Sequence, residues 1–187
     1  YLNTDSDFNN DGGQLDTTGW TAAVYGTYYF NNQWYIDGAM QYGWNDYDSQ
    51  RNITFGSNDT AASGSTDGDQ FAISLNAGAD FFRDAWLLSP YLGLDYITAS
   101  VDEFSESGGA GLALTVTTED IDILTSKLGV RVSRSYSMSW GILSPTAFAE
   151  WAHEFKDDSR EITSRFVADP SVPFTTSTDD PDRNYFN

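Results

Sequence analysis

The sequence predicts an all-β fold, an antiparallel up-and-down sheet of the kind that crosses a membrane as a barrel. Three observations predict it. Apolar and polar residues alternate over stretches longer than an ordinary strand of about 5–6 residues. Short turns alternate with long polar connections along the chain. Aromatic residues make up 16 % of the composition, and Tyr and Trp favour apolar–water boundaries.

The elements follow in order. Tyr1–Leu2 reads as the tail of one strand, and Asn3–Gly13 as a long loop. Full strands are expected at residues 14–30, 34–44, 70–82, 87–104, 120–134 and 140–156, and Tyr185–Asn187 as the start of another. Asn31–Gln33, Arg83–Trp86 and Ser135–Ser139 are the short turns. Asn45–Asp69, Ser105–Glu119 and Asp157–Arg183 are long and rich in Gly, Ser, Thr, Asn or Asp, as loops are. Pro90 and Pro145 fall near the first residues of their strands, where a missing backbone N–H is best tolerated. They belong to an internal echo, Leu88-Ser89-Pro90 to Tyr96 against Leu143-Ser144-Pro145 to Trp151.

Successive side chains of a strand point to opposite faces, so parity assigns each residue a side. Within residues 70–82, Phe71, Ile73, Leu75 and Phe81 share one face, opposite Asn76 and Asp80. Leu92, Leu94, Leu128, Val130 and Val132 extend the apolar, lipid-facing set. Trp20, Tyr28, Trp34, Tyr42, Trp44, Tyr96 and Trp151 lie on that apolar side and form the expected aromatic girdle. The opposite face carries Asp37, Asp80, Asp95, Lys127, Arg131 and Glu150 inside strands, as a wet or charge-paired lumen would. Lys127 and Arg131 lie four residues apart, about 13 Å along a strand. They are expected to pair with Asp95 or Glu150, since buried charges must be paired or hydrated.

Composition narrows the function. A net charge of −19 with nine basic residues, and a pI near 4.1, exclude nucleic acid, which needs clustered Lys and Arg. The absence of cysteine removes disulfide frameworks and thiolate metal sites. No secretory signal pattern and no apolar run long enough for a membrane helix occurs in the 187 residues. A mean hydropathy of −0.44 does not argue against a barrel, whose alternation hides its apolar face.

Catalytic, cofactor and metal sites are not expected. His153, the single histidine, shares a side with Trp151 and has no nucleophile context, so it reads as an interface residue rather than a catalytic base. Asp7, Asn9, Asp11 and Gly12 match the first half of an EF-hand loop, but Thr18 stands where the bidentate Glu belongs. Calcium at Asp7, Asn9 and Asp11, or divalent bridging to lipopolysaccharide, is the alternative to a self-repelling, solvated surface. The same surface reading covers Asp5, Asp46, Asp48, Asp59, Asp67, Asp69, Asp102, Glu103, Glu106, Glu119, Asp120 and Asp122.

The last hairpin carries a resemblance. Trp140-Gly141-Ile142-Leu143-Ser144-Pro145, followed by Ala149-Glu150-Trp151-Ala152-His153-Glu154-Phe155-Lys156-Asp157-Asp158-Ser159-Arg160, resembles the autotransporter β-domain family of type V secretion. Ile162-Thr163-Ser164-Arg165-Phe166-Val167, Asp179-Asp180-Pro181-Asp182-Arg183-Asn184-Tyr185-Phe186 and Leu124-Thr125-Ser126-Lys127-Leu128-Gly129-Val130-Arg131 add to it. The likeness is clearest from about residue 70 onward. It implies a Gram-negative outer-membrane barrel of about twelve strands, within the even-numbered range of such barrels. It further implies a barrel that anchors and helps export an N-terminal passenger, with a linker helix in the lumen and assembly by the barrel-assembly machinery.

On this reading residues 1–187 form a single non-enzymatic domain, an internal part of an outer-membrane barrel with about six full strands and two stubs. Passenger, linker helix and C-terminal closing strands would lie outside it, because an open edge in lipid leaves backbone groups unsatisfied. Its partners would be outer-membrane lipid and lipopolysaccharide, with long acidic loops extracellular and short turns periplasmic. Two other functions fit the pattern: a structural or pore-forming barrel without passenger, and a soluble β-sandwich that binds carbohydrate through its aromatics.

Overall fold

The computed structural model describes all residues except 32, 57, 119, 157–160 and 179–181, with the backbone alone at 10, 55 and 58. Eight strands follow one another in a single antiparallel meander: β1 Leu2–Phe8, β2 Gly13–Phe30, β3 Trp34–Phe55, β4 Asn58–Ala79, β5 Trp86–Val101, β6 Ile121–Arg134, β7 Thr146–Glu154 and β8 Asn184–Phe186. Each pairs with its neighbours in sequence, and β1 and β8 are the two edges of a wall that does not close on itself.

The expected strands are present, but several boundaries differ for one physical reason. Once two strands are in register, backbone pairing carries through residues of low β propensity. Asn45–Asp69 was expected as a loop, yet nearly all of it is strand. β3 and β4 pair without interruption from Trp34↔Ala79 to Phe55↔Asn58, turning at Gly56 with a φ of 62°. Likewise Asn3–Gly13 is mostly strand, since β1 pairs with β2 from Leu2↔Gly19 to Phe8↔Gly13 around a short 3-10 turn. The expected strand at 140–156 starts later, at Thr146, because Tyr136–Met138 pairs with Gly141–Leu143 as a separate hairpin. The strand at 70–82 breaks at Asp80, opposite Ser89 and Pro90, where Pro90 has no N–H to give; Phe81–Arg83 then resumes pairing with β5.

Two of the long connections fold as well. Phe104–Ser105, Leu114–Thr118, Glu161–Phe166 and Phe174–Ser177 form a four-stranded sheet at the long-loop end. Register places Phe104, Leu114, Val116, Ile162, Phe166 and Phe174 on one of its faces and Thr115, Thr117, Thr163, Arg165 and Thr175 on the other. Phe104 lies against Gly64 of β4, where an added Cβ would come within 2.8 Å of the ring. In the turn beyond Phe166, the Ser171 hydroxyl and backbone N–H both donate to Asp169, which holds that carboxyl below its usual pKa. Glu119, Asp157, Asp158, Ser159, Arg160, Asp179, Asp180 and Pro181, quoted above from the sequence, lie outside the described residues.

The wall has no ordinary core. The buried apolar residues are four alanines, Ala62, Ala79, Ala113 and Ala152, and no large side chain is fully buried among the described residues. Instead Leu75, Phe81, Leu92, Leu94 and Leu128 are exposed, with Phe71, Ile73, Val130 and Val132 half-buried beside them. A soluble sandwich covers such a face with a second sheet, and this one is bare.

Candidate functional site

Parity splits the wall into an outer apolar face and an inner polar one, and the cross-strand registers keep the split through β2–β7. On the outer face the expected girdle residues Trp20, Tyr28, Trp34, Tyr42, Trp44 and Trp151 are exposed, and Tyr96 is half-buried. Trp20 pairs with Trp44, and Phe30 with Trp34, so the rings of neighbouring strands share a level. His153 lies between Trp151 and Phe155, with ring centroids 5.9 and 4.7 Å away, and its Nδ1 is 3.0 Å from Asn184 Oδ1. Beyond Trp20 and Trp44, carboxylates stand directly opposite one another on this side: Asp5↔Asp16, Asp16↔Asp48 and Asp46↔Asp67. Like charges in register repel. Among the described residues no group of three or more His, Cys, Asp or Glu is placed to hold a metal; Asp7 and Asp11 line one hollow with Gln14 and Asn52.

On the inner face, Asp37, Asp80, Lys127, Arg131 and Glu150 line one cavity of about 560 Å³ toward the short-turn end. Asp95 joins it through Lys127, with which it forms an ion pair. Ser74 Oγ also donates to Asp95, at 2.6 Å. Asn76 Nδ2 donates to Asp37 at 3.2 Å, and Ser89 Oγ to Asp80 at 2.6 Å. The Tyr91 hydroxyl donates to Glu150 at 2.7 Å, and Asn187 Nδ2 donates to the other oxygen of Glu150 at 3.2 Å.

Arg131 departs from the expected pairing. Its guanidinium lies 6.0 Å from the centre of the Tyr91 ring and makes no ion pair among the described residues. The reason is register. Glu150 stands opposite Gly129, whereas Arg131 stands opposite Ser89 and Phe148, and Tyr91 fills the gap between the charges.

Parity put Asn76 on this face, but sequence reasoning did not foresee which neighbours hold the charges: Ser74, Asn76, Ser89 and Tyr91 by hydrogen bonds, with Tyr35 lining the same cavity. A signal was present in Gly78 and Gly129. An added Cβ at Gly129 would fall inside the Tyr91 ring, and one at Gly78 would meet the Tyr35 hydroxyl. These glycines leave room for tyrosines lying flat on the wall. Gly129→Val is therefore expected to cost roughly 1–3 kcal/mol by overpacking. Gly26→Val, with nothing within 4 Å of the added Cβ, should change little. Urea unfolding of the two variants in detergent checks the difference.

Farther from the short turns, Ala23, Tyr25, Ala39, Ala72 and Ile97 line a second, less polar hollow of about 280 Å³ on the same face. Small residues there widen the space in front of the wall.

At the long-loop end, charges read as solvated are in fact paired. Glu106, only 9 % exposed, accepts from Arg51 Nε and Nη2 at 3.0 and 2.6 Å and from the Leu114 N–H at 2.9 Å. Arg51 Nη2 also donates to the Leu112 carbonyl at 2.9 Å. Glu103 takes Arg165 at 2.9 Å, and Asp122 takes Lys156 at 2.8 Å.

The profile of the family described as Autotransporter beta-domain matches residues 1–187. The chain belongs to the autotransporter β-domain family. Its resemblance motifs and its all-β, antiparallel wall agree with that membership, and such domains reside in the outer membrane of Gram-negative bacteria. A protein of Pseudomonas putida named for the trpE-trpG intergenic region is 33 % identical over 79 % of this autotransporter β-domain and 25 % of its own length. Esterase EstA of Pseudomonas aeruginosa is 31 % identical over 79 % of this chain and 23 % of its own length. YaiT of Escherichia coli is 29 % identical over 71 % of this chain and 13 % of its own. The autotransporter β-domain described here thus spans about a quarter or less of the relatives it matches. Its family role is that of a translocator, and the word esterase belongs to the relative so named.

Proposed function

We propose that this chain forms part of the wall of a translocator barrel, which anchors an N-terminal passenger in the outer membrane and assists its export to the cell surface. The observation that carries the reading is the inverted burial pattern. Large apolar side chains face outward in a band, while the charged cluster of Asp37, Asp80, Asp95, Lys127, Arg131 and Glu150 faces inward. Water on the outer face would leave that band an aggregating surface, whereas hydrocarbon covers it at no cost. The two edges, β1 and β8, carry unpaired backbone groups that lipid cannot satisfy, so further strands complete the wall. The inner face then lines the lumen, with the long-loop end outside and the short turns in the periplasm.

Topology and export are tested together in the full-length protein. A peptide tag inserted at Gly56, an exposed hairpin tip, should be stained by antibody on intact cells. The same tag at Asp84, in a short turn, should be stained only after permeabilisation. Loss of surface passenger on deletion of residues 1–187, with the passenger still synthesised, is the expected export result. A passenger that still reaches the surface would leave only a structural or pore-forming role.

A further inference from the structure

Two cations of the outer face stand together at the short-turn end, and their side-chain donors have no hydrogen-bond partner among the described residues. Trp86 opens β5 at the short-turn end, and two arginines flank it across the sheet: Arg83 on one side and Arg134 on the other. All three share the face of Leu88 and Leu92, the face read as touching lipid. The Arg134 guanidinium lies 5.0 Å from the centre of the Trp86 ring and 4.8 Å from that of Tyr136, so aromatic rings hold it on two sides. Its Nε is buried and has no hydrogen-bond partner among the described residues. Neither arginine enters an ion pair among the described residues, although Asp84 adjoins Arg83. The carboxylates of the outer face stand at the opposite end: Asp16, Asp46, Asp48 and Asp67, beyond Trp20 and Trp44.

A buried guanidinium nitrogen left without an acceptor is costly, and a bound acceptor removes that cost. Ring contacts engage its faces and leave the N–H donors free. At the boundary of a hydrocarbon layer the available acceptor is a phosphate, which matches the arginine fork. We infer that Arg83 and Arg134, set about Trp86 and Tyr136, form a binding site for the phosphate of an anionic phospholipid in the leaflet at the short-turn end. The inference rests on the barrel reading above, which makes this face lipid-exposed. Charge complementarity selects the occupant: two unpaired cations at this end attract an anionic headgroup, while the acidic end repels it. Exposed Leu88 and Leu92, on the same face toward the bilayer interior, supply apolar surface for the acyl chains.

The test is native mass spectrometry of the full-length protein released from detergent micelles containing phosphatidylglycerol or phosphatidylcholine. The wild-type barrel should retain phosphatidylglycerol in preference to phosphatidylcholine. Arg83→Gln and Arg134→Gln should each weaken retention about fivefold, the step set by one cation near a membrane surface. Heat-modifiable migration on gels reports folding in each variant. Should Arg134→Gln fail to fold, the exposed Arg83→Gln carries the test alone. Equal retention of the two lipids by a heat-modifiable wild-type protein, or undiminished retention in the variants, overturns the site. Displacement of the lipid by inorganic phosphate at equal concentration would assign the site to free phosphate and overturn it too. Absence of heat-modifiable migration in the wild type would instead overturn the barrel reading, and the site with it.

Discussion

Leu75→Arg is expected to destabilise the barrel by about 2–4 kcal/mol, the cost of a cation on the lipid face near the bilayer midplane. Leu75 stands opposite Gly38 on one neighbouring strand and Leu94 on the other, at 49 % exposure, with no carboxylate across from it. The adjacent substitution, Asn76→Arg, should cost much less. Asn76 faces the inner cavity and already donates to Asp37, which an arginine there would meet as an ion pair. The comparison is made by denaturant unfolding of the two variants in lipid vesicles. Equal losses would refute the assignment of lipid and lumen faces, since both substitutions place the same cation at adjacent positions of one strand.

Glu106→Ala is expected to loosen the long-loop end by about 2–3 kcal/mol while leaving the wall intact. Glu106 accepts three hydrogen bonds, two from Arg51 and one from the Leu114 N–H. Removing a buried carboxylate strands these donors. The loss stays below that of a fully buried pair because the Arg51 side chain is 36 % exposed and can be rehydrated. Hydrogen exchange of the amides in Leu114–Thr118 and Glu161–Phe166 should quicken roughly thirtyfold or more. Amides of β5 and β6 between the girdles should not change. Uniform acceleration across both regions would mean that Glu106 supports the whole wall rather than the outer sheet.

How far these features were legible in the sequence depends on distance along the chain. The alternation in Gln70–Phe82 was readable because strand parity is local, and the same held for Trp20–Phe30 and Leu124–Arg134. Asn45–Asp69 was misread because its Gly, Ser and Asp content signals a loop. Its strand character comes from neighbours: β2 pairs with β3 as far as Gly13↔Arg51, and β5 and Ser107–Gly108 hold the other flank of β4. The inner cluster was half legible. Its charged members follow from parity, but Tyr91, which separates Arg131 from Glu150, belongs to a third strand. The Arg51–Glu106 pair joins residues 55 apart, and no local pattern announces it.

By itself, then, the sequence determined the class of the fold, the face on which residues of the recognised strands lie, and the family. Period-2 alternation and motif are properties of the chain taken one segment at a time. Only the tertiary structure decided register: which residue stands level with which across the sheet. That decision placed Lys127 with Asp95, set Arg131 over Tyr91, brought Arg83 and Arg134 to either side of Trp86, and set aspartate opposite aspartate beyond the girdle. Parity constrains register only to steps of two residues, and the choice among those steps is made by turns and neighbouring strands acting together.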